Sequence, residues 1–128
     1  MRVEAAEWVE KAEGDWHTAG RELRAAEFPN YDAVCFHAQQ CAEKYLKALL
    51  TEQDIPFPKM HHLPTLLDLL APVCQEAEMS RVDLASLAPF AVDLRYPGGK
   101  VNLQTAAAAW QTCGRIRSFA RRQLALGD

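Results

Sequence analysis

The feature that most constrains this chain is an apolar seam through its first half. Ala5, Val9, Ala12, Trp16, Ala19, Leu23 and Ala26 are spaced by alternating steps of four and three. The same spacing returns at Val34, Ala38, Cys41, Tyr45 and Ala48. A mean step of 3.5 residues suits long helices that pack at a shallow angle. Between the two runs stands only Phe28-Pro29-Asn30, where Pro29 disfavours helical backbone at Phe28. The second helix is expected over 31–52. Two helices of more than 20 residues joined by so short a link form an antiparallel hairpin.

The remainder continues the helical pattern in shorter pieces. After the proline-bearing stretch DIPFPKMHH, Leu63-Pro64 opens a third helix with Leu66, Leu67, Leu70, Val73 and Ala77 expected inward. Pro64 suits a first turn, whereas Pro72 is expected to kink or interrupt the helix. Residues 83–94 read as a shorter, broken helical stretch containing Pro89, and Tyr96-Pro97-Gly98-Gly99-Lys100 reads as a turn. Asn102 is placed to cap a last helix over 103–124, with Ala106, Trp110, Cys113, Ala120 and Leu124 inward. No segment reads as a strand or a repeat. The expected fold is all-α: an antiparallel up-and-down four-helix bundle with a short additional helix, one domain over 1–128. A chain of 128 residues is long enough to bury a core without disulfide or metal staples.

Charge and cysteine usage narrow the function classes. The formal net charge of −3 supplies no global attraction to nucleic acid or anionic membrane, so any such binding must be local. No run of about 18 apolar residues suggests a membrane span, and the acidic start MRVEAAEWVEKAEGDW lacks an export signal. Cys35, Cys41, Cys74 and Cys113 form no CxxC pair and read as reduced, mostly core residues; the expected compartment is the cytoplasm. Phosphate-loop, dinucleotide and zinc-protease signatures are missing, and no cofactor or metal is expected. His61-His62 reads as the start of a helix, because adjacent side chains on an extended segment point apart. Arg115, Arg117, Arg121 and Arg122 read as a basic end complementing a helix dipole.

Two polar features remain. On the second helix His37, Gln40, Lys44 and Lys47 fall on one arc, beside Phe36. That arc is either a solvated face or a binding surface, and an exposed Phe36 there would mark an interface. Arg95 follows an apolar stretch and precedes Tyr96 and the turn to Lys100. An arginine at such a junction either clamps phosphate or pairs with a carboxylate such as Asp93 or Glu43.

The run YDAVCFHAQQCAEKYLKALL, followed by HHLPTLLDLL and LRYPGG, resembles the HEPN domain family, the helical domains of higher eukaryotes and prokaryotes named for nucleotide binding. The resemblance extends from the first helix to the last. It implies a small helical bundle that homodimerises, in bacteria often beside a minimal nucleotidyltransferase as a toxin–antitoxin pair. It also implies metal-independent ribonuclease activity where an arginine and a polar residue are followed, after three to five intervening residues, by a histidine. Here Arg95 and Tyr96 match the beginning of that motif, but Lys100, Val101 and Asn102 stand where the histidine belongs. A lysine amine, protonated near neutrality, is a poor proton acceptor. The expectation is a non-catalytic binding protein, with Arg95, Tyr96, Lys100, His37, Gln40 and Lys44 as nucleotide- or RNA-binding candidates. The alternative is a ribonuclease toxin in which Arg95 works with His37 or His62.

Overall fold

The computed structural model describes residues 1–92 and 100–128. Every regular element among them is helical: α1 Val3–Leu23, α2 Tyr31–Glu52, α3 Leu63–Leu70, α4 Arg81–Leu87 and α5 Leu103–Gln123. Two 3-10 turns, Gln75–Ser80 and Ala88–Ala91, flank α4.

The predicted hairpin of α1 and α2 is present and antiparallel. At its closed end the Asn30 amide donates to Glu22 Oε1 at 2.6 Å. At its open end the Arg2 amide donates to Glu52 Oε1 at 2.8 Å. Asn30 also caps α2, its side-chain oxygen accepting from the Ala33 amide at 3.0 Å. The last helix runs alongside α2 in the same direction. Its start is tied to the start of α2 where the Val101 amide donates to Asp32 Oδ1 at 2.9 Å. Asn102 caps α5 by accepting from the Thr105 amide at 2.9 Å, as its position in the sequence predicts.

The seam of α2 forms the centre of the core: Val34, Ala38, Cys41, Tyr45 and Ala48 are all fully buried. Against it pack Ala12 and Ala19 of α1, Leu63, Leu66, Leu67 and Leu70 of α3, and Ala106, Cys113 and Ala120 of α5. Between α1 and α5 the rings of Trp16 and Trp110 stack with centroids 4.3 Å apart and planes 8° from parallel. Glycine on both helices leaves room for this stack. A Cβ added at Gly20 would lie 3.2 Å from the Trp110 ring, and one at Gly114 would lie 3.2 Å from the Trp16 ring.

Two expectations are corrected. The first helix ends at Leu23, and Ala26, expected on the seam, is exposed. The third helix does not reach Val73, because Pro72 interrupts it after Leu70; Val73 is 57% exposed rather than inward. The fourth position of the bundle is filled by α3 and α4, two short pieces, in keeping with the expected third helix and the shorter stretch after it. Pro89 lies inside the 3-10 turn after α4, as the broken pattern there predicts. Cys35, Cys41 and Cys113 are buried, Cys74 is half-buried, and all four are thiols. Among the described residues no helix is long and apolar enough to cross a membrane.

Candidate functional site

The polar arc of α2 is paired from within the bundle and only partly reached by solvent. It is split between two carboxylates that the bundle buries. The first is Asp15, one residue off the seam of α1 and 8% exposed. Its Oδ2 accepts from Lys44 Nζ at 2.6 Å, and its Oδ1 lies 2.7 Å from His37 Nδ1. A carboxylate can only accept, so His37 donates from Nδ1, and in the neutral ring the lone pair is then on Nε2. His37 and Lys44 are reached by solvent, their side chains being 30% and 21% exposed.

The second is Glu43, 2% exposed, which pairs with Lys47 Nζ at 3.0 Å one helical turn away. It also accepts from His61 Nδ1, at 3.0 and 3.1 Å to its two oxygens. Gln40 donates to Gln39 at 2.7 Å, and Gln39 in turn donates to Glu43 at 3.2 Å. Lys47 is capped from the far side by the rings of Trp8 and Phe57, at 5.3 and 5.8 Å from their centroids. Glu43 is thus already ringed by donors. Of the candidates, His37 and Lys44 are brought together, Gln40 belongs to the neighbouring network, and half-buried Phe36 sits edge-on to the His37 ring.

A third network was hidden in the basic stretch of α5. Arg117 and Arg121 do not simply complement a helix dipole. Arg117 grips Glu13 of α1 with two hydrogen bonds, at 2.7 and 2.8 Å, while its guanidinium lies 5.2 Å from the centre of the Trp16 ring. Tyr45 donates to Glu13 at 2.5 Å and accepts from Arg121 at 3.0 Å. Burial alone would raise the Glu13 pKa, but the Arg117 and Tyr45 hydrogen bonds and the two guanidinium charges hold it down at about 2. Burial, reinforced by Glu13, pushes the Tyr45 phenol the other way, well above its ordinary range. Arg115 turns outward to Asp83 of α4, at 3.0 and 3.1 Å. Periodicity could not show these partners. The available signal was the pair of acids Glu13 and Asp15 flanking the α1 seam.

Arg95 and Tyr96, the motif candidates, lie outside the described residues, as does the turn before Lys100. Lys100 itself is exposed at the head of α5, in a crevice of about 480 Å³ shared with the α1–α2 turn. His62 immediately precedes α3, with its Nδ1 2.8 Å from Thr65 Oγ1, which is the helix-start position expected of it. Among the described residues no group of three or more histidines, cysteines or acids is arranged to hold a metal.

Comparison with known proteins places the chain in one family. The model of the HEPN domain matches residues 5–123. The chain is similar in structure to TT1696 from Thermus thermophilus, with a TM-score of 0.77 and 24% identity, over 94% of this chain and 98% of that one. It is also similar to ST0689, an archaeal HEPN homologue, with a TM-score of 0.68 and 23% identity, over 96% of this chain and 98% of that one. At these identities the two structures speak for the fold. No curated protein matches the chain significantly by sequence.

Proposed function

The chain belongs to the HEPN domain family, and from that membership we propose that it is a homodimeric binding protein. It associates with a minimal nucleotidyltransferase, as half of a toxin–antitoxin pair, and takes a nucleotide or RNA without cleaving it. The observation that carries the non-catalytic reading is the start of α5. The ribonuclease motif of the family would put an imidazole at position 100, 101 or 102. Here Asn102 spends its side chain capping the helix, the Val101 amide is held by Asp32, and Lys100 offers an ammonium. An ammonium attracts a phosphate but does not take a proton from a ribose hydroxyl at neutral pH.

Three measurements on the purified chain test the proposal: its solution mass, its co-purification with a co-expressed minimal nucleotidyltransferase, and the anisotropy of a labelled oligoribonucleotide. A dimer that holds the partner and raises the anisotropy is expected. A monomer that does neither would overturn the reading.

A second reading rests on the Asp15–His37 pair. A buried carboxylate on Nδ1 orients the ring and leaves Nε2 able to accept a proton, the arrangement of a general base. With Arg95 steadying the phosphate, His37 would then take the 2′-hydroxyl proton of RNA. Metal-free cleavage that disappears in both Arg95→Ala and His37→Ala would establish it; an intact RNA would exclude it.

A further inference from the structure

We propose that the crevice between the α1–α2 turn and the head of α5 binds a nucleobase together with its phosphate. This deepens the reading above, since it rests on the chain taking a nucleotide or RNA, and it adds the α1–α2 turn, with Phe28, to the motif position Lys100 as the place of binding.

The first observation is the backbone of Phe28. Its φ is 47°, in the left-handed region, and the residue is 95% exposed. Bulky side chains rarely adopt that region, and a following proline ordinarily pushes a residue toward extended backbone. Such a conformation persists only where the surroundings impose it. Packing of the ring does not explain it, because so exposed a ring gains almost no burial among the described residues. Its effect is to present an aromatic face to solvent at the rim of a concavity.

The second observation is that the turn is fixed. Glu22 holds the Asn30 amide at 2.6 Å, Asn30 holds the Ala33 amide at 3.0 Å, and Asp32 holds the Val101 amide at 2.9 Å. These bonds join the ends of three helices around one opening, so the crevice is built into the fold.

The third observation is its chemistry. Phe28, Pro29, Tyr31, Asp32, Lys100 and Val101 line a space of about 480 Å³, within the usual range for small-molecule sites of roughly 300–1,000 Å³. Aromatic faces stack on bases whatever the sequence. Lys100, which makes no ion pair among the described residues, supplies a positive charge for phosphate. Asp32 uses Oδ1 on the Val101 amide, and its other oxygen can accept from a ribose hydroxyl or an exocyclic amine. A protein partner would call for a contiguous apolar face. Here a single exposed ring stands beside a concavity with a cation and an anion, which suits a nucleotide better.

The test uses the full chain, with AMP and a fluorescein-labelled single-stranded hexaribonucleotide as probes. Phe28→Ala is expected to weaken binding about ten- to a hundredfold, the usual cost of losing one stacking partner. Its melting temperature should be unchanged or higher, since an exposed ring is removed. Phe28→Trp is expected to keep binding, and Met79→Ala, at an exposed site on another segment, should match the parent. Lys100→Ala should weaken the hexanucleotide and lower its salt dependence by about one phosphate contact. Binding of AMP as well identifies a mononucleotide site; binding of the hexanucleotide alone identifies an RNA site. Unchanged affinity in Phe28→Ala, with a parent that binds, would overturn this site and leave the nucleotide-binding reading standing. A parent that binds neither probe would remove both. A Phe28→Ala protein that binds normally but has half the solution mass would make the ring a contact between copies, and would also overturn the site.

Discussion

Replacing Asp15 with leucine tests whether the polar arc of α2 belongs to the architecture. The carboxylate is 8% exposed and accepts from Lys44 at 2.6 Å and His37 at 2.7 Å. Hydrogen bonds to a charged group contribute roughly 1.5–3 kcal/mol each, and breaking a fully buried pair costs about 3–5 kcal/mol. Both partners are partly solvated, with side chains 21% and 30% exposed, so water would satisfy much of what the substitution strands. The expected loss is therefore about 2–3 kcal/mol. For a chain of 128 residues the unfolding entropy is roughly 0.27 kcal/mol/K, which turns that loss into a melting temperature lower by about 7–11 °C. Differential scanning calorimetry at neutral pH reads it directly. Adding Lys44→Met to Asp15→Leu removes the stranded ammonium and should recover stability to within about 1 kcal/mol of the parent. If Asp15→Leu melts within about 2 °C of the parent, roughly a quarter of the expected shift, the pair is a surface contact and its burial against the seam contributes nothing.

Two further predictions concern the rest of the frame. The Glu13 pKa is held at about 2 against an ordinary 4.5, so its contribution is present above pH 4.5 and lost as pH falls toward 2. After allowance for solvent screening the loss amounts to about 2 kcal/mol, and Glu13→Gln should flatten the acid limb of a urea-denaturation series over that window. Asn102→Ala removes the α5 cap and should cost about 1 kcal/mol, or roughly 4 °C in the same calorimetry; a variant as stable as the parent would show the cap to be idle.

Much of the bundle was legible in the sequence because it follows from periodicity and from prolines. The α1 and α2 seams, the break at Pro72 and the Asn102 cap each depend on residues close in the chain. The misplaced Val73 shows where periodicity stops being a guide: the pattern continued through Pro72 although the helix did not. The polar networks were illegible for a different reason. His37 and Lys44 were visible as a stripe, but their partner Asp15 lies 22 and 29 residues away. Glu13 and Arg117 are separated by 104 residues. Spacing within a helix says which side chains share a face, and the opposing element decides whether that face meets water or a buried carboxylate. Phe28 was legible only as the residue before a proline. Its left-handed backbone and full exposure are products of the turn that Glu22 and Asn30 fix.

Binding without cleavage is the central claim, and one measurement addresses it directly. A fluorescein-labelled single-stranded RNA is incubated with the purified chain in EDTA at neutral pH, its anisotropy is followed, and the same samples are then resolved on a denaturing gel. The prediction is a raised anisotropy with full-length RNA recovered at every time point. RNA fragments that accumulate with the wild-type chain and not with Arg95→Ala would contradict it, and their loss in His37→Ala as well would assign the Asp15–His37 pair to catalysis.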